Sequence, residues 1–207
     1  MSVSSVAGVL LAGGQARRMG GGDKCLQLLA GRPILEHVVE RVRPQVDRLA
    51  LNANGDPDRF AGFGLPVIPD VIEGFAGPLA GVLTGMEWAL VHCPDCPWIV
   101  TVATDTPFLP TDLVAAMKNA VERENAELAC AASDGRRHPV FGLWPVGLAD
   151  ALRHAMVEDD IRKVDRFTSR YRLIDVSFPT DPLDPFFNTN RPEDLVEAER
   201  LAGGARR

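Results

Sequence analysis

Residues Val6-Ala-Gly-Val-Leu-Leu11 form an unbroken apolar run, and one residue later the chain enters a glycine-rich, cationic segment. The run has the length of a strand and shows no alternation, so it reads as a strand covered on both faces. Strands of that kind belong to a mostly parallel sheet flanked by helices. The rest of the chain keeps to that scheme. Arg48–Leu51, Leu65–Ile68 and Trp98–Ala103 read as further strands, the last the strongest. Helical spacing fills the gaps: apolar residues at 34, 35, 38, 39, 42 and 46 predict a helix over Ile34–Val46, and Leu79–Val91 predicts another.

Further elements follow the same logic. Leu26–Leu29 reads as a short strand. Thr111 is a candidate N-cap for a helix that runs through Lys118. Glu127–Ala132 and Pro139–Trp144 read as strands around an Asp134-Gly135 turn, with His138 on that turn. Val146–Met156, Ile161–Phe167 and Pro192–Leu201 read as helices. No internal repeat or low-complexity linker divides the 207 residues, so one domain over 1–207 is expected, with a core over about 6–201. The fold class is α/β: a mostly parallel twisted sheet flanked by helices.

Composition narrows the function. Hydrophobic residues make up 46% of the chain and charged residues 24%, which is globular. The net charge of −6 disfavours wrapping nucleic acid, which needs a broad basic face. No stretch of 18 apolar residues is present, and Met1–Ser5 lacks a leader's basic and apolar parts, so a cytoplasmic protein without a membrane segment is expected. The four cysteines do not make a disulfide framework. Cys93-Pro-Asp-Cys96 is half of a zinc pattern with no second half, and it reads as a loop with two small residues.

In a parallel sheet the ligand crevice lies beyond the carboxyl ends of the strands. The segment from Ala12 to Lys24 holds five glycines, Arg17, Arg18 and Lys24, one of only three lysines in the chain. Glycines let backbone N–H groups approach an anion closely, and three cations suit a polyphosphate. The spacing is neither a Walker A loop nor G-x-G-x-x-G. Asp105 ends the strongest strand, where a carboxylate is placed to hold Mg²⁺ beside phosphates or to cap the turn before the next helix. Asp70 ends another strand and precedes Gly77 and Gly81, small enough for close helix packing. Asn52 offers an amide that can read a base edge or a ribose. His138 is a candidate anion ligand, acid or base. Asn188 and Asn190, two apart, share one face of an extended segment, with Asn190 also a candidate helix N-cap.

Together these segments resemble the molybdenum cofactor guanylyltransferase family, within the wider nucleotidyltransferases. The resemblance rests on Leu11-Ala-Gly-Gly14, Arg18-Met-Gly-Gly21, Asp23-Lys24, Asn52-Ala-Asn54, Asp70 with Gly77-Pro-Leu-Ala-Gly81, Thr104-Asp-Thr-Pro107, His138-Pro139 and Phe187-Asn-Thr-Asn190 with Pro192-Glu-Asp-Leu195. Gly22 lengthens the glycine run, and Cys93 and Cys96 fall outside the pattern. The resemblance implies a Rossmann-like nucleotidyltransferase fold and Mg²⁺-dependent transfer of GMP from GTP to molybdenum-molybdopterin, with pyrophosphate leaving.

Carried over residue by residue, the resemblance implies that Leu11, Ala12, Gly13, Lys24, Asn52, Asp70 and Asp105 bind GTP. Asp105 also holds the metal, and Arg18 and the Gly20-Gly21 turn embrace the triphosphate, with Arg18 and Lys24 offsetting the charge that grows on pyrophosphate. His138, Asn188 and Asn190 face the pterin. Gly13-Gly14, where the cytidylyl-transferring relatives carry Ala-Gly, favours GTP over CTP. CTP-dependent cytidylyl transfer and a GTP-binding adaptor that delivers cofactor stand as alternatives. Molybdenum-insertion proteins and apo-molybdoenzymes are the expected protein partners, and with no obvious extra interface element in the sequence a monomer is expected.

Overall fold

A computed structural model gives the fold and describes residues 5–12, 23–74 and 77–204. The central strand is β1 (Val6–Leu11), whose first five residues are buried. A small antiparallel pair follows, β2 (Leu28–Leu29) with β3 (Arg32–Pro33). The main sheet continues with β4 (Arg48–Asn52), β5 (Val67–Ile68), β6 (Trp98–Ala103), β7 (Leu128–Ser133), β8 (Arg136–Pro145) and β9 (Leu173–Phe178). Seven strands run in the order β5-β4-β1-β6-β8-β7-β9. Only β8 is antiparallel to its neighbours, so the sheet is mixed and mostly parallel.

The helices are α1 (Ile34–Val42), α2 (Pro78–His92), α3 (Leu113–Glu124), α4 (Ala149–Val157), α5 (Val164–Thr168) and α6 (Pro192–Gly204). They make two cores, one on each face. On one face Ile34, Leu35, Val38 and Val42 of α1 join Leu113 and Met117 of α3, Phe186, and Ala198 of α6. On the other, Leu79, Leu83 and Met86 of α2 pack with Leu152 and Met156 of α4 and Phe167 of α5. The chain steps from β1 to β4 to β5, then α2 carries it back across β1 to β6. That reversal opens the crevice at the carboxyl ends of β4, β1 and β6.

Several predicted elements differ in detail. Leu26–Leu29 is a 3₁₀ turn over Lys24–Leu26 followed by the two-residue β2. The Ile34–Val46 helix ends at Val42, because Pro44 has no N–H to continue the ladder, and a 3₁₀ turn takes over. Thr111 is not the N-cap of α3; Asp112 holds that position, without a side-chain capping bond. The helix expected from Ile161 starts at Val164, since Asp160 turns at φ +50° and Lys163 is extended. His138 lies within β8, not on the turn. The strand β9 was not expected from the sequence; it pairs with β7 at the sheet edge. Among the described residues no helix is long and apolar enough to cross a membrane.

Candidate active site

Strand register lines the site residues up along one edge of the sheet. Leu11 stands opposite Asn52 on one side and Ala103 on the other, and Asn52 stands opposite Ile68. Asp70 and Asp105 each follow their strand by two residues. Three strand spacings of about 4.8 Å separate the two carboxylates' strands, roughly 14 Å across the crevice.

One group of side chains gathers at β6. Lys24 Nζ lies 2.5 Å from Asp105 Oδ2, and it also donates to Asn190 Oδ1. The Lys24 side chain is only 12% exposed and that of Asp105 24%. The backbone carbonyl of Asp105 accepts from Thr189 N and Thr189 Oγ1, both at 3.0 Å, which clips the segment before α6 onto the end of β6. Thr106 Oγ1 donates to Asn188 Oδ1 at 2.6 Å. The two asparagines therefore serve different neighbours, Asn188 the Thr106 hydroxyl and Asn190 the lysine. Asn190 is not a capping side chain: the carboxylate of Asp194 accepts from Asn190 N and Arg191 N, both at 2.8 Å, and caps α6 from its first turn.

A second group gathers at β4 and β5. Asn52 Nδ2 donates to Asp70 Oδ1 at 2.9 Å and to the Ile68 carbonyl at 3.1 Å. Asn54 Nδ2 donates to Asp70 Oδ2 at 2.8 Å, and Asn54 Oδ1 accepts from Asp70 N at the same distance. Both oxygens of Asp70 are thus held by amides, which fixes the carboxylate at the crevice wall. Asn52 is buried, and its amide braces Asp70. A Cβ on Gly81 would overlap Asn52 Oδ1 and come within 2.7 Å of Leu11 Cδ2, so glycine lets α2 lie against this group. The β1 end is tied to both sides: Ala12 N donates to the Asn52 carbonyl at 2.9 Å, and Thr104 Oγ1 to the Leu11 carbonyl at 3.3 Å.

His138 stands behind the first group. Its Nε2 is 2.7 Å from Ser133 Oγ, and its ring stacks on Phe186 with centroids 4.5 Å apart. Burial lowers its pKa, Asp184 pulls it back up, and Arg136 adds to the lowering. His138 meets the Asn188–Asn190 segment through Phe186. Of the residues expected at the site, Arg18 and Gly13 lie outside the described residues, together with the Gly20-Gly21 turn.

The structure adds residues that sequence reasoning did not single out. Asn54 and Thr106 stood in quoted motifs without a role, and their neighbours Asn52 and Asp105 were the available signal. Arg59 had none, because its partners, Asp23 and the carbonyls of Asn54 and Asp56, become visible only once the β4–β5 connection is folded.

A doubly wound sheet that sets a lysine–aspartate pair and an amide-braced carboxylate on its carboxyl edge defines the chain as a nucleotidyltransferase. Residues 8–173 match the family of MobA-like NTP transferase domains. Molybdenum cofactor guanylyltransferases from Bradyrhizobium sp. (strain ORS 278) and Rhodopseudomonas palustris (strain BisB5) are 57% and 58% identical. The alignments cover 97% of this chain and 95% of the first relative, and 94% and 92% for the second. The chain belongs to the molybdenum cofactor guanylyltransferase family.

Among solved structures, the molybdopterin-guanine dinucleotide biosynthesis protein A of Archaeoglobus fulgidus shares the fold at TM-score 0.72 and 24% identity, over 96% of this chain and 99% of that one. A Mycobacterium tuberculosis protein solved in complex with manganese shares it at TM-score 0.67 and 16% identity, over 95% and 98% of the two chains.

Proposed function

We propose that the chain transfers GMP from GTP to molybdenum-molybdopterin, forming molybdopterin guanine dinucleotide and releasing pyrophosphate. The observation that carries this reading is the Lys24–Asp105 pair at the end of β6, beside the end of β1. The nucleoside half of GTP lies along Leu11, Ala12, Asn52 and Asp70. Its triphosphate lies toward Lys24, with Gly13 and Arg18 from the glycine-rich segment. The pterin lies toward Asn188, Asn190 and His138.

The chemistry asks for positioning and charge more than for a base. The pterin's phosphate oxygen bonds to the α-phosphorus of GTP while the bond from that phosphorus to the β-phosphate bridging oxygen breaks. A phosphate monoester has its second pKa near about 6, so it is already an anion and needs no deprotonation. Negative charge grows on the leaving pyrophosphate, and Lys24 offsets it there. In the free protein Asp105 balances the lysine, so the cleft is preorganised with its cation held in place. The Thr189 clip fixes the Asp105 backbone, which keeps the carboxylate at the strand end whatever its side chain contacts.

The residues present fit a divalent cation of the Mg²⁺ type. Among the described residues no group of three or more His, Cys, Asp or Glu side chains can hold a metal, which excludes an all-protein cage there. Mg²⁺ instead takes one or two carboxylates and completes its shell with substrate phosphates and water. Asp105 supplies such a carboxylate, already paired with a cationic group in Lys24. A bound Mg²⁺ would neutralise phosphate charge and orient the α-phosphate. The manganese found with the Mycobacterium tuberculosis protein of the same fold supports this choice of metal class. We place the enzyme in the cytoplasm as a single-domain monomer, with GTP and molybdenum-molybdopterin as its substrates, and apo-molybdoenzymes and molybdenum-insertion proteins as the proteins it serves.

Calorimetry of GTP, CTP and ATP with Mg²⁺ present tests the reading, followed by pyrophosphate release with the pterin acceptor. Selective GTP binding with pyrophosphate release is expected. A preference for CTP would keep the mechanism and change the product to the cytosine dinucleotide. Tight GTP binding with no pyrophosphate release would turn the chain into a delivery adaptor.

A further inference from the structure

Arg59 sits in the 3₁₀ segment Pro57–Phe63, between β4 and β5, and its guanidinium faces three ways. Nη1 donates to the Asp56 carbonyl at 2.5 Å and Nη2 to the Asn54 carbonyl at 2.6 Å. Nε forms an ion pair with Asp23 Oδ2 at 2.5 Å, a charge contact without a hydrogen bond. The guanidinium carbon lies 4.6 Å over the Phe60 ring, on a residue that is fully buried. The loop is shaped around this side chain. Gly55 turns at φ +84°, and a Cβ there would stand 3.1 Å from Arg59 Nη1.

The two ends of this contact belong to different halves of the cleft. Asn54 holds Asp70 in the nucleoside group. Asp23 directly precedes Lys24, and its carbonyl accepts from Leu26 N at 3.0 Å, closing the turn that aims the lysine. We propose that Arg59 is a positioning residue that holds Asp23, and through it Lys24, in fixed relation to the Asn52–Asn54–Asp70 group. The inference rests on the nucleotide site described above. It assigns to Arg59 the spacing between nucleoside recognition and triphosphate recognition. A guanidinium can donate to two carbonyls from its rigid planar fork while its charge faces a carboxylate; a lysine is a single point charge.

The consequence is selective. GTP presents Lys24 with the negative charge of its β- and γ-phosphates, whereas GMP offers a single phosphate and draws far less on that contact. Loosening Asp23 therefore costs triphosphate binding more than monophosphate binding. The test is GTP and GMP affinity, with Mg²⁺, for the wild type and for Asp23→Asn, Arg59→Met, Arg59→Lys and the Asp23→Asn/Arg59→Met double variant, each checked for folding by its melting curve. Asp23→Asn breaks the ion pair and keeps the Arg59 contacts to the loop, so it probes the link without disturbing Asn54.

GTP affinity falling about tenfold in Asp23→Asn and in Arg59→Met, with GMP held within about twofold, supports the proposal. So do an absence of further loss in the double variant and partial recovery in Arg59→Lys. Equal losses for GTP and GMP, additive losses in the double variant, or no loss in Asp23→Asn would overturn it. A wild-type protein that binds neither nucleotide would bring down the nucleotide site itself, a failure distinct from wild-type binding that Arg59 does not influence.

Discussion

Lys24 and Asp105, 81 residues apart in the chain, meet at 2.5 Å between Nζ and Oδ2. Each reaches the meeting point from the carboxyl end of a buried strand, Lys24 after the segment that follows β1 and Asp105 two residues beyond β6. The register of β1 with β6 sets Leu11 opposite Ala103, so the two exits are neighbours before any side chain is considered. In the free protein the pair satisfies both charges. Triphosphate offers the lysine a second anion, and a divalent cation offers the aspartate a second partner.

That exchange separates the two residues by experiment. Asp105→Asn keeps the side-chain shape and leaves the backbone carbonyl that Thr189 grips, so the fold and its melting temperature should be retained. Pyrophosphate release should fall by about 100-fold or more, the scale of losing one electrostatic group at a phosphoryl-transfer site. GTP affinity should change far less than turnover. Lys24→Ala should weaken GTP binding by about tenfold and lower turnover as well, since it removes a charged phosphate contact. Near-normal turnover in folded Asp105→Asn would take Asp105 out of the chemistry.

Gly81→Ala should damage the nucleoside side. The added Cβ overlaps Asn52 Oδ1, and Asn52 cannot swing aside without releasing Asp70 and the Ile68 carbonyl. A stability loss of about 1–3 kcal/mol is expected, with weaker GTP binding in the protein that remains folded. Gly85→Ala is the matched control. Its Cβ would meet Val9 Cγ2 at 2.6 Å, a comparable clash deep between α2 and β1. It should lower the melting temperature similarly and leave GTP affinity alone. Equal effects of both variants on affinity would deny Gly81 its link to the site.

Much of this was legible in the sequence, and the divide follows burial. β1 and β6 are covered on both faces and read as unbroken apolar runs. Their ends then pointed to Asp105 and Lys24 by the strand-end rule alone. β9 was missed because it is an edge strand, Leu173-Ile-Asp-Val-Ser-Phe178, with only Phe178 buried, and its partner β7 lies far back in the chain. Thr111 has the chemistry of a cap, yet the chain turns once more before α3 begins, and residue type cannot reveal that. Arg59 was out of reach for a different reason. Its role depends on three partners that no periodicity links, and only the folded β4–β5 connection brings them around one guanidinium.

The cysteines should behave as core residues. All four are free and buried. Burial pushes the Cys25, Cys96 and Cys130 thiols up to about 11 and raises that of Cys93. A thiol of that kind carries little thiolate at pH 8 and reacts slowly. Titration of the native protein with a disulfide reagent at pH 8 should give little reaction, and all four should react after denaturation. Cys93 and Cys96 supply two of the four ligands that a structural zinc needs. Elemental analysis of purified protein should find no stoichiometric zinc; a full equivalent would make the pair a metal site.

His138 should give the fold a mildly acidic weak point. Burial against Phe186 and Phe141 is the main cause that depresses its pKa, with Arg136 acting in the same direction and Asp184 opposing both. The folded value therefore lies below the unfolded value of about 6.5. Between the two, the unfolded chain binds more protons than the native one, so stability rises with pH in that window. The contribution is fully present above about 6.5 and is lost as pH falls through the folded value. Urea unfolding at pH 8 and pH 5.5 should show the wild type losing more stability on acidification than His138→Gln, which has no proton to take up there. Because Phe186 leads into Asn188 and Asn190, wild-type GTP turnover should fall over the same interval more steeply than in the variant. Parallel losses in the two proteins would show that the carboxylates, and not His138, set the acid limit.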